Sequence, residues 1–295
     1  MRFFLAACCA VALLPAAQHY AATGLVLKVD RPHRSFVASC KAIPQYMDAM
    51  VMPIPVHDLK LLDNLKPGVA VDFTLIVAGS DAWAEDIRIH RFQSTEQDPF
   101  QAGGLQMIQN FGKTGPQGHE IAVGEAVPDF TLTGETGRPV SLSQFRGKIV
   151  VAAFVYTSCP LPNYCFRLSN NLGQLQKRFR ARLGRDLVLL SITIDPVHDT
   201  PPVLARYALT WKADPEGWHF LTGPEADIQA VTRRFGVNYW PGEGFLTHSL
   251  HTIVIGRDGR LAANLEGNEF SAQQLGDLVS AQMDPAQNLS GPGRH

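Results

Sequence analysis

Charge is scarce in this chain. Only 18% of its 295 residues are charged and the formal net charge is −1, so it offers neither a basic field for nucleic acid nor an acidic tail. Long hydrophobic runs are absent beyond the N-terminus, where nothing approaches the ~20 apolar residues of a membrane-spanning helix. No internal repeat or low-complexity tract is visible, which excludes solenoids and fibrous arrays. Cysteine is limited to five residues and methionine to six. Where either clusters, the clustering calls for an explanation.

The N-terminus reads "MRFFLAACCAVALLPAAQHYAATG". Arg2, an apolar run over residues 3–17 and then small residues form the layout of a secretory signal. The run is too short to span a bilayer, so residues 1–21 are expected to be a signal peptide, with an N-terminal anchor as the alternative. "LAAC" comes too early for a lipoprotein cleavage box, and Cys8 and Cys9 read as small apolar residues of the leader. The expected location is the periplasm or the outward-facing cell envelope. Removal of the leader leaves Cys40, Cys159 and Cys165. An odd number in an oxidising compartment argues against a plain disulfide framework.

A length near 300 residues suggests two domains at roughly 150 residues each. Residues 22–95 hold five short strand patterns, "GLVLKV", "SFVA", "VMPIPV", "VAVDFTLIV" and "AWAEDIRI", separated by turn signals such as "LKPG". They predict a small all-β barrel of the OB type. Residues 96–121 have the Gly, Gln and Pro content of a flexible linker, with local packing expected over 105–111. Residues 122–285 alternate strand and helix, and 286–295 form a tail. "KIVVAAFVY" and "DLVLLSITI" are continuous apolar strands of the kind covered on both faces. Leu168, Leu172, Leu175 and Phe179 recur at helical spacing with Gly184 as the stop, and helices are expected around residues 204–211 and 228–235. "LHTIVI", "RDG" and "RLAANLE" predict a hairpin, and Ser271 with Gln274 a capping box. The order is that of an α/β thioredoxin-like fold with one added helix before the hairpin.

Between an apolar strand and a helix lies "YTSCPLPNYCFRLS". Cys159 is expected just past the strand's carboxyl end, and Cys165 at the helix start, where unpaired amides lower a thiol's pKa. Thiolates serve both redox exchange and metal binding. The five-residue gap gives a wider, softer loop than the two-residue gap of fast disulfide exchange. "FLTHSLHTIVI" lacks the proline that thioredoxin-like oxidoreductases place before the third core strand, and puts His248 on the edge facing the loop. His251, three residues on, is expected to point to the opposite face. Metal binding and redox exchange separate on these two features, the loop length and the missing proline. Asp195 and Asp199 in "DPVHDT" lie on the same rim, as outer partners of the ligands or as helix caps, and His198 reads as solvated.

"YTSCPLPNYC", "SITIDPVHDTPPVLARYA" and "FLTHSLHTIVIGRDG", in this order, resemble the Sco/SenC family of copper-binding proteins of cytochrome c oxidase assembly. The resemblance covers most of residues 122–285. It implies copper, as Cu(I) and/or Cu(II), held by Cys159, Cys165 and His248, although the family's commoner loop has three residues between its cysteines. It also implies an apo cytochrome c oxidase subunit or another copper protein as partner, possible inner-membrane association and no nucleic acid.

Three of the six methionines fall in "YMDAMVM". Met50 and Met52 share one strand face, either to converge on a soft ion or to fill the barrel. "CKAIPQYMDAMVMPIPV" with "LKPGVAVDFTLIV" is similar to CusF-like copper-binding barrels. This resemblance implies a second site from Cys40, Met50 and Met52 with Met47 nearby. Together the two resemblances imply a copper chaperone that captures Cu(I) in the barrel and passes it across the linker by ligand exchange, without bond-making catalysis. The rival from another class is a thiol-disulfide oxidoreductase that matures oxidase cysteines; a third reading is a periplasmic copper buffer or resistance protein.

Overall fold

The computed structural model describes residues 17–90, 120–241 and 246–284. Most of the leader, residues 91–119, which hold most of the expected linker and its packing over 105–111, and the tail lie outside the described residues. Five strands build the N-terminal sheet: β1 (Gln18–Asp30), β2 (Ser35–Cys40), β3 (Met50–Pro55), β4 (Ala70–Ala78) and β5 (Asp81–Ile89), in the spatial order β3-β2-β1-β4-β5. All five expected strand segments appear. β1, however, starts inside the expected leader, because residues 18–21 pair with β4 and Tyr20 stacks on Tyr46 at 4.0 Å. The edge strands meet in one parallel bridge, Val56 to Ala84. This is an all-β sheet whose edges touch, without a continuous seam among the described residues.

The C-terminal unit is a seven-stranded sheet in the order β14-β13-β8-β9-β10-β6-β7. Its centre is β8 (Ile149–Val155) beside the parallel β9 (Leu187–Thr193), and every residue of both strands is buried. Such apolar continuity requires cover on both faces. Around it lie β6 (Thr131–Gly134), β7 (Pro139–Ser141), β10 (Trp218–Thr222), β13 (His251–Ile255) and β14 (Leu261–Glu266). A separate ribbon pairs β11 (Tyr239–Pro241) with β12 (Leu246–His248). The helices are α1 (Arg167–Arg178), α2 (Pro201–Thr210), α3 (Glu225–Arg234) and α4 (Ala272–Met283). Leu168, Leu172 and Leu175 are the buried stripe of α1, and α4 opens with the Ser271/Gln274 capping box. Among the described residues no helix is long and apolar enough to cross a membrane.

Gly184 has another role than the expected helix stop. α1 ends at Arg178, while Gly184 adopts φ +74° in the turn into β9, where an added Cβ would lie 2.6 Å from Glu216 O. The linker boundary also shifts, since Ile121 is already buried and its N–H bonds Arg234 O.

The two units pack together. Alternation along β1 sends Val26 into the N-terminal core and Leu25 and Leu27 into the C-terminal core. In β2, Phe36 and Ala38 face the first core and Val37 the second. A polar seam on α4 completes the contact: Ser39 Oγ donates to Asp277 Oδ2 at 2.7 Å and Gln274 Nε2 to Ser39 O at 3.0 Å. Arg178 Nη2 donates to the other Asp277 oxygen at 2.7 Å, so the buried carboxylate is compensated. The N-terminal sheet is thus docked on the second unit, where composition suggested a module swinging on a tether.

Candidate metal centre

β8 delivers the chain to the rim, and Cys159 follows four residues after it. Asp199 fixes the start of the loop: its buried carboxyl accepts from Thr157 N at 3.0 Å, Thr157 Oγ1 at 2.5 Å and Thr193 Oγ1 at 2.6 Å. A single wide turn over Pro162–Phe166 then carries Cys165 inward, ahead of α1. Cys165 is buried, Cys159 half-buried, and both are free thiols.

The imidazole arrives from the other side. His248 ends β12 in the ribbon and does not stand at the start of β13, which begins at His251. Its Nδ1 donates to Ser249 O at 3.0 Å, which leaves Nε2 bare and facing Cys165 Sγ at 3.8 Å. The Tyr156 ring meets His248 edge-on at 6.1 Å, and its hydroxyl donates to Leu246 O at 3.0 Å, tying the ribbon to β8. His251 is engaged elsewhere, with Nδ1 at 2.8 Å from Asn264 Oδ1.

The electrostatics divide the thiols. The hydrogen bond from Cys165 is the main cause that lowers Cys159 to about 6, against the opposing effect of burial. Cys165 is raised by that same bond and by burial, opposite to the lowering expected from a helix start. Burial pushes His248 down to about 4, so it is neutral at physiological pH. The same desolvation, with the Cys159 charge beside it, pushes the Tyr156 hydroxyl up.

A thiolate and an imidazole at bond lengths of about 2.3 and 2.0 Å enclose an angle near ~120° at the metal when 3.8 Å separates the donors. The spacing of Cys165 Sγ and His248 Nε2 is thus compatible with both atoms meeting one ion. Among the described residues, no three His, Cys, Asp or Glu side chains already stand in closed metal-binding geometry. Cys159 is hydrogen-bonded to Cys165.

The rim aspartates differ in what they touch. Asp199 holds the base of the cysteine loop, whereas Asp195 bonds the exposed His198 at 2.9 Å. In the N-terminal sheet Cys40 pairs directly with Met50, and Ala38 with Met52, so these side chains share a face. Met47 and Met52 pack on the core of that face and Met50 is exposed. Burial pushes the Cys40 thiol up to about 12.

The sequence reading missed Asn268. It is buried, and its amide donates to Asn163 O inside the cysteine loop. Its one sequence signal was a polar residue beside Gly267 just past a strand.

One prediction concerns thiol chemistry. In the metal-free reduced protein, iodoacetamide should alkylate Cys159 with a half-maximal rate near pH 6, with Cys165 protected until unfolding. A Cys165→Ala change should return that midpoint toward 9, the ordinary value for a thiol. The folded value lies below the unfolded one, so the stability from this thiolate is full above the ordinary value and lost as pH falls through about 6. A rate profile centred above pH 8 in the unaltered protein would contradict the assignment.

A SCO1/SenC family model matches residues 119–283. The SCO1 protein homolog of Bacillus subtilis is 27% identical over 158 residues, spanning 52% of this chain and 79% of that protein. Among solved structures, copper-bound ScoI of Arabidopsis thaliana is 23% identical, with 55% of this chain and 99% of that one covered and a TM-score of 0.48. BsSco, described as a member of the Sco family of cytochrome c oxidase assembly proteins, is 24% identical, with 57% and 98% covered and a TM-score of 0.47. The matched region begins after the five N-terminal strands and carries both loop thiols and the ribbon imidazole; over this part, more than half of its length, the chain belongs to the SCO1/SenC family.

Proposed function

We propose that this chain is an exported copper chaperone of cytochrome c oxidase assembly, with Cys159, Cys165 and His248 gripping the ion. The observation that carries the reading is the 3.8 Å approach of Cys165 Sγ to the bare His248 Nε2, beside the second thiol. Two soft thiolates suit Cu(I), and the imidazole extends the set toward Cu(II). The copper-bound and oxidase-assembly descriptions of the relatives support the same cargo. The client is an apo oxidase subunit or another copper protein on the outer side of the membrane. Hand-off proceeds by ligand exchange, with half-buried Cys159 as the donor an incoming ligand reaches first. Asp199 serves as an outer support of this site, and Asp195 orders the neighbouring loop.

A second soft site, from Met50, Met52, Cys40 and Met47, belongs to the N-terminal sheet, which takes the role of a CusF-like barrel. Thioethers bind without losing a proton, whereas Cys40 must lose one that burial holds tightly. The methionine pair therefore contributes most. Anaerobic Cu(I) titration of the reduced chain, in competition with a chromophoric chelator, tests both sites. Two equivalents are expected. Cys159→Ala should remove one, and Met50→Leu with Met52→Leu should weaken the other by ~10-fold or more, about 1.4 kcal/mol. One equivalent that survives loss of both cysteines and vanishes with the methionines would confine copper to the N-terminal sheet.

The thiol asymmetry favours one further reading, a thiol-disulfide oxidoreductase, because an acidic half-buried thiol next to a buried protonated one is the arrangement of attacking and resolving cysteines. Rapid disulfide turnover that persists in His248→Ala would select it over metal transfer.

A further inference from the structure

Residues 267–270, between β14 and α4, bond to the segment after His248, to the loop between the cysteines and to the helix that follows Cys165. Gly267, at φ +79° where a side chain would be strained, donates its N–H to Leu250 O at 2.8 Å, two residues beyond His248. Asn268 donates to Asn163 O between the two cysteines. Phe270 O accepts from Asn171 Nδ2 at 3.5 Å, on the helix that follows Cys165. The fourth contact leaves the C-terminal unit: Glu269 Oε2 lies 2.9 Å from His90 Nε2, just past β5. His90 Nδ1 lies 3.2 Å from Asp72 Oδ2, and Asp72 is held by Thr23 Oγ1 at 2.7 Å. Gln274, which caps α4 at the end of this loop, also grips Ser39 O of the N-terminal sheet.

The loop between the cysteines needs such support. Pro160 and Pro162 supply no N–H, and Leu161 O accepts from Tyr164 N at 3.1 Å as a local turn. A buried amide on the Asn163 carbonyl, two residues on, therefore limits how the loop that carries both thiols can move.

We propose that residues 267–270 form a positioning hub through which the N-terminal sheet, by His90 on Glu269, keeps Asn268 on the Asn163 carbonyl and so sets the spacing of Cys159, Cys165 and His248. Asn268 is a positioning residue, acting through the loop. The N-terminal sheet is then part of the centre's framework as well as a second soft site. The inference rests on the thiol and imidazole centre proposed above.

The test uses the full chain and two readouts: the equilibrium of the Cys159/Cys165 couple with dithiothreitol in the metal-free protein, and Cu(I) affinity by chelator competition. Asn268→Ala should weaken Cu(I) binding by roughly 10- to 100-fold, the range for loss of outer supports, and displace the dithiol equilibrium. His90→Ala and Glu269→Ala change partly exposed side chains and should fold normally. Each should displace both readouts in the same direction as Asn268→Ala by roughly three- to tenfold, and His90→Ala should add nothing once Asn268 is gone. Arg31→Ala, which removes an exposed ion pair to Asp63 elsewhere on the sheet, should change neither. Wild-type values in His90→Ala and Glu269→Ala, or fully additive effects with Asn268→Ala, would overturn the hub. If the wild-type chain binds no Cu(I) through Cys159, the copper reading fails while the dithiol equilibrium still decides the hub.

Discussion

His248→Ala should lower Cu(I) affinity at the C-terminal centre by roughly 10³-fold or more, beyond the 10- to 100-fold that loss of an outer support costs. The ring supplies a nitrogen that faces Cys165, and its tautomer is fixed by Ser249 O. Because burial holds it neutral down to about 4, protons do not compete for Nε2 at working pH. Cys159, lowered to about 6, is likewise a thiolate at neutral pH. Removing the ring therefore removes a donor that is available without deprotonation, and leaves the two sulfurs without their nitrogen partner. His251→Ala should leave affinity unchanged, because that ring is turned to Asn264. Chelator competition under anaerobic conditions measures both, and far-UV circular dichroism checks that the variants fold. Wild-type affinity in His248→Ala would end the three-ligand account.

Asp199→Ala should be the most destabilising single change at this rim. Three donors converge on one buried carboxyl, and alanine leaves the Thr157 N–H and two hydroxyls without their acceptor. Each unsatisfied buried group costs about 1–3 kcal/mol; with partial relaxation the expected loss is about 3–5 kcal/mol, a fall in Tm on the order of 10 °C. The functional effect should accompany it, since Thr157 is the base from which the cysteine loop springs. Asp199→Asn keeps the shape but trades one acceptor for a donor, and should lie between the two. Thermal unfolding by circular dichroism gives the ranking; a Tm for Asp199→Ala within 2 °C of wild type would remove Asp199 from the framework.

Much of the C-terminal fold was legible because its signals are local. The apolar runs of β8 and β9, the Leu168/Leu172/Leu175 stripe and the Ser271/Gln274 box each declare themselves within a dozen residues. The short strands β6, β7, β10, β11 and β12 did not, because three to five residues are too few for a period to emerge. His248 was placed on the right rim but in the wrong strand, since two residues between ribbon and sheet leave no mark in composition. The Cys165 shift ran opposite to the helix-start argument because burial and a neighbouring thiolate outweigh a dipole, and neither is visible along the chain. Asn268 and Glu269 owe their roles to partners 105 and 179 positions away, at Asn163 and His90. Docking of the N-terminal sheet had a trace in "GLVLKV", where Leu25, Val26 and Leu27 are consecutive apolar residues and so lie on both faces of one strand.

Those three neighbours also bear on where this chain divides. A cut at the start of the family-matched region would take away Leu25, Leu27 and Val37 from a core they share with the later strands. It would also bare the flank of β14, where Gly68 now lies against Ala263 and Leu265. Residues that precede the homologous segment thus cover part of the core and of the last strand of the larger sheet, so the boundary drawn by ancestry and the boundary drawn by solvent exclusion fall in different places.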